Sequence, residues 1–200
     1  VRSVGLAMRE KLPLRVLSAF EDGPGTTIVE ELDPRMERNA IAGIAADRNE
    51  ARLTLTGIAD KPGTVAAVMR PLAETGISVD MIVHAATPNQ GASDLTFTVP
   101  RASLAQAVAA IENWKGDLGY SALLSDDRVA KVSIVGVGIR SNPALAAKMF
   151  DTLAERGINL LAVTASEIKV SALIAEDELE LAVRVLHSAF GLDAPAGAAA

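Results

Sequence analysis

An internal repeat constrains this chain more than any other feature of its sequence. When residues 51–79 are laid on residues 132–160 without gaps, a shift of 81, the glycine, proline and apolar positions coincide, and "LAETGI" falls on "LAERGI". At a shift of 75, the apolar helical stripe that begins at Leu104 falls on the one that begins at Leu179. The chain therefore contains two copies of one structural unit.

The first copy alternates strand and helix patterns. Its strands are predicted at "RLTLTGI" (52–58), "GISVDMIVH" (76–84), "SDLTFTVP" (93–100) and "YSALLS" (120–125), with helices after the first and third. Right-handed crossovers place both helices on one face of a four-stranded antiparallel sheet, which is the ferredoxin-like arrangement. We predict an α+β fold built from two such βαββαβ units.

The second copy lacks its last strand, because "GLDAPAGAAA" has no strand character. A replacement lies upstream in "AIAGIAAD" (40–47), which the turn-like "RNE" separates from the first strand of copy one. We infer that this segment completes the second sheet, so that the first unit is inserted within the second. The expected parts are a preceding segment and linker (1–38), a first repeat (51–126), a second repeat (39–50 plus 127–192) and a flexible tail (193–200).

Composition excludes several classes of protein. No apolar run approaches the roughly 18 residues that a membrane span needs, so we expect no membrane partner. The chain has no cysteine, which excludes a disulfide scaffold and is compatible with a cytoplasmic protein. A net charge of −6 with 3% aromatic residues argues against nucleic acid. The start has neither an initiator Met nor a signal peptide and reads as the interior of a longer product.

Several motifs carry a resemblance to a known family. The "DKPG" corner, "GISVDMI", "KVSIVGVGIRSNP" and "INLLAVTASEIKVSALI" resemble the paired ACT domains that form the regulatory part of aspartate kinase. The resemblance covers about residues 10–192, and "LPLRVLSAFEDGPGTTI" is similar to the stretch that joins the kinase domain of that family to its regulatory half.

The resemblance implies a function and a set of partners. It implies an allosteric module that binds lysine and/or threonine and feedback-inhibits the phosphorylation of L-aspartate. The implied partners are a second copy, as a homodimer through the ACT domains, and a catalytic kinase domain or subunit. ATP and Mg are expected in that catalytic part, and this chain is expected to hold no cofactor, no metal and no catalytic residue.

The "DKPG" corner has the chemistry to hold a free amino acid. Both charges of such a ligand must be satisfied when it is buried. With Pro62 in the first helical turn, the N–H groups of Gly63, Thr64 and Val65 would be free to bind a carboxylate. Asp60 would accept from the ammonium, and Lys61 supplies the opposite charge. The alternative is that Asp60 only caps the helix.

In the family the corner of one subunit meets the second domain of another across a dimer. This correspondence adds His84 on one side and Asn159 and Leu160 on the other. His84 departs from the family, which often has Gln at this position. An imidazole here could shift the ligand preference or make ligand binding sensitive to pH. Alternatively, His84 is a strand-end histidine that faces solvent.

A second equivalent site would use another set of polar residues. It would comprise Asp80, Thr87, Thr96, Ser166 and Glu167. The carboxylates of Asp80 and Glu167 would suit a lysine side chain. Alternatively, Asp80 is a strand residue on the solvent-facing side of the sheet, and Glu167 is an ordinary surface charge. The corner of the second copy reads "RSNPAL" and lacks the carboxylate, so that copy is expected to contribute partners rather than a complete pocket.

Other readings of the chain remain. "GVGIRSN" resembles a dinucleotide fingerprint, but Ser141 replaces its third glycine and the expected sheet is not parallel. His187 is most simply a helix C-terminal histidine, with no nucleophile assigned to it. Besides an amino-acid sensor, the sequence allows a structural ACT dimerisation module without an active effector site.

Overall fold

The computed structural model describes residues 12, 14–17, 20, 23–28, 41–87, 91–136, 139 and 142–193. The chain divides into two units, Val1–Ala40 and Ile41–Ala200. In the first unit, strands β1 (Leu14–Val16) and β2 (Thr26–Ile28) pair antiparallel. Most of the other residues of the predicted linker, and the predicted tail beyond residue 193, lie outside the described residues.

The second unit is built on one antiparallel sheet of six strands. Two pairs of longer helices and one four-residue helix accompany it in the described residues, and a short 3₁₀ turn precedes the second helix of each pair. The elements are β3 (Ile41–Ala59), α1 (Thr64–Glu74), β4 (Ile82–Thr87), β5 (Ala92–Val99), a 3₁₀ turn (Arg101–Ser103), α2 (Leu104–Asn113), α3 (Lys115–Leu118), β6 (Ala122–Gly136), α4 (Pro143–Ala154), β7 (Ala162–Ala165), β8 (Lys169–Ala175), a 3₁₀ turn (Glu176–Glu178) and α5 (Leu179–Ala189). The strand order is β4-β5-β3-β6-β8-β7. None of the helices in the described ranges combines the length and apolar character needed to cross a membrane.

Both central strands run through the two halves of the sheet. The predicted turn at "RNE" is wrong, because β3 continues without a break from Ile41 to Ala59. The polar stretch instead produces irregularities in the ladder with β6, at register shifts between Asp47 and Arg52. A bulge accommodates turn-forming residues while the partner strand still satisfies most of the backbone groups on either side. The strand predicted at 120–125 likewise continues to Gly136, because β6 pairs with β3 along both halves of the sheet.

Each half of the sheet has the ferredoxin-like strand order. The first half is ordered β4, β5, the later part of β3 and the beginning of β6. In the second half, residues 41–47 of β3 pair with residues 131–136 of β6, followed by β8 and β7. Numbered within each βαββαβ unit, both halves read 2-3-1-4 from the outer edge inward, with the missing fourth strand of the second half supplied by residues 41–47.

The pairing of β3 with β6 is two-fold symmetric in the numbering of the repeat. Ile44 lies opposite Ile134, and the positions 81 residues away, Leu53 and Ser125, also lie opposite each other. The same holds for Ala45 with Ser133 and for Arg52 with Asp126. A pseudo-two-fold axis therefore passes between the strands, near the bulged middle of β3.

The apolar residues form two main cores and a small third cluster. In the first repeat, Leu53 and Phe97 pack with Leu72 of α1 and Ile111 of α2. The equivalent core of the second repeat contains Ile134, Ile174, Met149, Leu153 and Leu186. The third cluster joins the halves and consists of Met81, Val129 and Leu173. Burial of the apolar stripes seen in the sequence is thus what fixes each helix pair on its sheet.

The segment before β4 differs from its prediction. The strand expected at 76–84 begins only at Ile82. Just before β4, Asp80 N donates to Thr98 O of β5 at 3.1 Å, and Thr98 N donates to Met81 O at 3.0 Å. The Thr98 hydroxyl accepts from Met81 N at 3.2 Å, so a side chain takes the place of a regular ladder bond here.

Candidate functional site

A bulge in β3 leads the chain into the "DKPG" corner. The register with β5 shifts between Leu55 and Ile58, and Gly57 has a φ of 66°. The Asp94 carboxylate accepts from Gly57 N at 2.9 Å. A side chain at Gly57 would collide with the Ser121 hydroxyl, so glycine is required both by the backbone angle and by the space.

One backbone bond joins the corner to the β4–β5 hairpin, and two local bonds close the turn. Asp60 N donates to Gly91 O at 3.0 Å, and Lys61 N donates to Ala59 O at 3.1 Å. The Thr64 hydroxyl donates to the same carbonyl of Ala59 at 2.7 Å. Three bonds thus fix the backbone of an exposed turn and leave its charged side chains outside the network.

The helix starts two residues later than expected. Pro62 and Gly63 precede α1, which begins at Thr64, and Gly63 takes a left-handed conformation with a φ of 91°. Thr64 N donates to Lys61 O at 3.3 Å, so the prediction of a free N–H at Thr64 is wrong. Within the described chain, the N–H groups of Gly63 and Val65 make no backbone hydrogen bond. The left-handed Gly63 thus belongs to a turn in which the N–H of Thr64 is bonded, whereas the N–H groups of Gly63 and Val65 are not.

The Asp60 carboxylate does not cap the helix. No side-chain hydrogen bond caps the N-terminus of α1, which rules out the cap alternative for Asp60. Among the described residues, neither Asp60 nor Lys61 has a side-chain hydrogen bond or an ion pair, and both are exposed. The corner therefore presents a carboxylate, an ammonium and two N–H groups that no described residue binds.

His84 lies within β4 rather than at its end. It pairs with Leu95 of β5 and is exposed. Its Nε2 lies 2.9 Å from the hydroxyl of Ser93, which is fully buried and lies 3.5 Å from the carbonyl of Ile58. The ring is thus tied at one nitrogen to a buried hydroxyl beside the bulge, and the other nitrogen has no partner in the described chain.

Asn159 and Leu160 lie in the other repeat. They form part of the connection between α4 and β7, where Asn159 is exposed and Leu160 packs partly buried against the second core. No hydrogen bond or ion pair among the described residues joins them to the corner. The two parts of the expected effector site thus belong to different halves of the sheet within one chain.

Asp80 is engaged by a lysine that the sequence analysis did not single out. The Lys131 ammonium donates to the carboxylates of both Asp80 and Glu50, and it lies 3.9 Å from Asp47. The side chains of Lys131 and Glu50 are only 12% and 5% exposed. The hydrogen bond from Lys131 lowers the pKa of Asp80. Burial opposes the charge on Lys131, but the bonds to Asp80 and Glu50 outweigh it and raise the pKa of Lys131.

The other residues of the second expected site are dispersed. The Thr96 hydroxyl lies 2.9 Å from that of Thr54 on the neighbouring strand. The Ser166 hydroxyl closes the β7–β8 turn by accepting from Lys169 N at 3.2 Å. Ser166 and Glu167 line an open groove of about 940 Å³ beside Pro143. Thr87 lies in β4, and its side chain is outside the described residues.

Comparison with known proteins gives the family. ACT-domain models match residues 52–113 and 132–190. An aspartate kinase of Pseudomonas putida is 45% identical over 196 residues, which is 98% of this chain and 47% of that protein. The ligand-free regulatory subunit of aspartate kinase from Thermus thermophilus is 38% identical with a TM-score of 0.72, over 76% of this chain and 99% of that one.

The chain belongs to the aspartate kinase family. Specifically, it is similar to the regulatory part, with two ACT domains on one sheet. A structure of E. coli aspartokinase III in complex with lysine and aspartate has a TM-score of 0.69 over 91% of this chain and 40% of that one. At 20% identity it supports the fold alone. The chain spans about half the length of the curated relatives it matches.

Proposed function

We propose that this chain is the allosteric module of an aspartate kinase and binds lysine and/or threonine at the interfaces of its ACT domains. Membership of the regulatory part of the family supports the allosteric role. The observation that supports binding of an amino acid is the corner. There, opposite charges and N–H groups without a partner in the described residues lie together on a hydrogen-bonded backbone. Effector binding there would lower phosphorylation of L-aspartate by the catalytic part.

In this proposal Asp60 binds the ammonium of the effector. A carboxylate without an internal partner gains a charge-assisted hydrogen bond when an ammonium arrives, and it gives up no bond of its own. The hydrogen bond of Asp60 N to Gly91 fixes the position of that carboxylate relative to the hairpin. Its exposure in the single chain suits a site that closes only when another surface covers it.

The carboxylate of the effector binds at the start of α1. The N–H groups of Gly63 and Val65 lie at the positive end of an eleven-residue helix, where an anion is favoured. Lys61 adds a positive charge beside them. Gly63 has no heavy atom within 4 Å of where a Cβ would stand, which leaves room for a ligand close to the backbone.

The covering surface comes from a second copy of the chain. Asn159 and Leu160 of the partner subunit would face the corner and His84, which is the arrangement that the family resemblance implies. The exposure of Asn159 suits such a contact. Among the described residues, the outer strands β4 and β7 each have one edge without a pairing strand, and a homodimer would cover these edges.

We propose a second site at the groove lined by Ser166 and Glu167, because this groove between the β7–β8 turn and α4 is open. Asp80 would join it only by leaving Lys131, since the Lys131 ammonium holds its carboxylate. Thr87 and Thr96 would border the same region in the dimer. A lysine side chain is the ligand whose charge fits Glu167.

Calorimetry on the 200-residue chain tests the proposal. Lysine, threonine and methionine are titrated in turn into the parent chain and into the variant Asp60→Asn. Saturable binding of lysine or threonine, weakened by the variant, is expected. A chain that dimerises but binds none of the three would instead be a structural dimerisation module.

A further inference from the structure

Two ion pairs join positions that the internal repeat makes equivalent. Glu50 and Lys131 are separated by 81 residues, the shift that relates β3 to β6, and they bind each other. Arg101 and Glu176 are separated by 75 residues, the shift that relates the later helices. Each of them is the first residue of the 3₁₀ turn before the second helix of its repeat, and their side chains lie 3.0 Å apart.

The position of both pairs follows from the pseudo-two-fold axis. The register of β3 with β6 is symmetric about the bulged middle of β3, where Glu50 lies. Residues related by a two-fold axis meet each other only where they stand beside that axis. Arg101 also donates to the carbonyl of Val129, two residues before Lys131 in β6, so the second pair lies at the same junction.

An exactly repeated sequence would make this junction repulsive. Two identical units would place Glu against Glu at one pair and Arg against Arg at the other, and like charges brought together in a partly desolvated site are costly. In this chain both positions instead carry opposite signs. The Lys131 and Glu50 side chains are nearly buried, so their charges are weakly screened.

We propose that these pairs favour association of the first repeat with the second. They disfavour association of a repeat with the same repeat of another copy across the junction. Glu50, which directly precedes the first aligned stretch 51–79, and Arg101 mark one side. Lys131, which directly precedes the second aligned stretch 132–160, and Glu176 mark the other. A second copy of this chain therefore cannot substitute its equivalent repeat without bringing like charges together. Contacts between chains are then directed to other surfaces. Specificity achieved by repulsion of the wrong partner requires this kind of sign difference.

A charge-reversal cycle on the full chain tests the proposal. Arg101→Glu and Glu176→Arg each create a like-charged pair, and the double variant restores opposite signs in the reversed order. We expect each single reversal to raise the unfolding equilibrium constant by roughly tenfold and the double variant to recover most of that loss, because contacting residues are not additive. The constants are measured by urea unfolding followed by circular dichroism.

The exposed pair Arg48–Glu180 is the matched control, since it does not join equivalent positions and its side chains are 52% and 86% exposed. Its reversal cycle is expected to give little coupling. If the Arg101 and Glu176 reversals are additive, so that the double variant is as unstable as the two singles combined, the charge matching is overturned.

A neutral variant tests discrimination separately from stability. Arg101→Gln with Glu176→Gln removes the signs and keeps polar side chains of similar size. Refolded from urea at low and at high concentration, this variant is expected to form a larger fraction of exchanged oligomers than the parent chain, measured by sedimentation velocity. A variant that refolds to the same species as the parent at both concentrations overturns the discriminating role of the Arg101–Glu176 pair.

Discussion

The backbone N–H of Asp60 donates to the carbonyl of Gly91 at 3.0 Å, which fastens the charged corner to the hairpin that carries His84. The bond uses the main chain of Asp60 and leaves its carboxylate without a partner in the described residues. The main chain of Asp60 therefore fixes the position of the corner, whereas its side chain supplies the group that would bind a ligand. A substitution of the side chain can change binding while the corner keeps its shape.

The substitution Asp60→Asn is expected to weaken effector binding and to leave stability unchanged. The structure has no helix cap at Asp60 for the variant to lose. Loss of a charge-assisted bond of roughly 1.5 to 3 kcal/mol lowers affinity by about ten- to a hundredfold. Calorimetry and thermal unfolding measure the two quantities, and Glu74→Gln at the other end of α1 is the control. Unchanged affinity for both lysine and threonine would contradict the assignment.

In the intact kinase, Asp60→Asn is expected to relieve feedback inhibition while the uninhibited rate stays near that of the parent. Inhibition is a coupling between separate sites, and removal of one ligand contact reduces that coupling. The measurement is the rate of aspartate phosphorylation against effector concentration. A lower rate without effector would mean that the residue acts on catalysis or folding instead.

The substitution Gly57→Ala is expected to destabilise the chain by about 1 to 3 kcal/mol, because it forces a side chain into a left-handed backbone conformation. The new methyl group would also collide with the Ser121 hydroxyl. Gly43→Ala is the matched control in the same strand, where nothing lies within 4 Å of the added Cβ and φ is not positive. Urea unfolding compares them, and equal losses would mean that the bulge tolerates a side chain.

Acid is expected to weaken the junction between the two halves of the sheet. The pKa of Asp80 is lowered in the folded chain, so its contribution is present above the pKa of the unfolded chain and is lost as the pH falls below about 4. The pKa of Lys131 is raised, so its contribution is lost only in strong alkali. Stability measured from pH 7 to pH 3 should fall less steeply in Asp80→Asn than in the parent. Parallel curves would show that Asp80 does not contribute.

Deletion of residues 1–48 is expected to damage one repeat more than the other. It removes the part of β3 that pairs with residues 131–136, while the ladder between Ala51 and β5 stays intact. Amide exchange should therefore accelerate in β8 and the later part of β6, and less in β5. Deletion of residues 1–38, which leaves all of β3, is the control. Equal protection of both repeats after the longer deletion would contradict this.

The chain is expected to form a dimer. In the part of the chain that the structure describes, the outer strands β4 and β7 each have one edge without a pairing strand. Ile82 and Val163 on these strands are also exposed apolar residues, 45% and 38% accessible. Sedimentation equilibrium with and without lysine measures the state of association. A monomer under both conditions would remove the partner subunit from the proposed effector site.

The repeat and its apolar stripes predicted the α+β architecture, because alignment of two copies doubles the evidence for each helix and strand. Element ends were harder to predict. The conformation of Gly63 moved the start of α1 beyond Pro62, and pairing with β6 carried β3 through a stretch of turn-forming residues. Both outcomes depend on neighbours that are distant in sequence, which a local pattern does not contain.

The junction ion pairs were missed for a different reason. Lys131 is the one charged residue in the apolar stretch 129–136 of β6, and such a residue signals either an exposed position or a buried partner. The shift of 81 that aligned the repeats also aligned Lys131 with Glu50. Opposite charges at aligned positions would have predicted the contact, had the axis between the copies been considered.

The shared course of β3 and β6 limits how this module can change by recombination. A strand of 19 residues reaches about 60 Å, and each end of it serves a different repeat. No breakpoint in the chain separates one complete repeat from the other without cutting a strand. Gene fusion can therefore transplant the pair as a unit, whereas evolution or engineering that seeks to alter only one sensor must do so by point substitution.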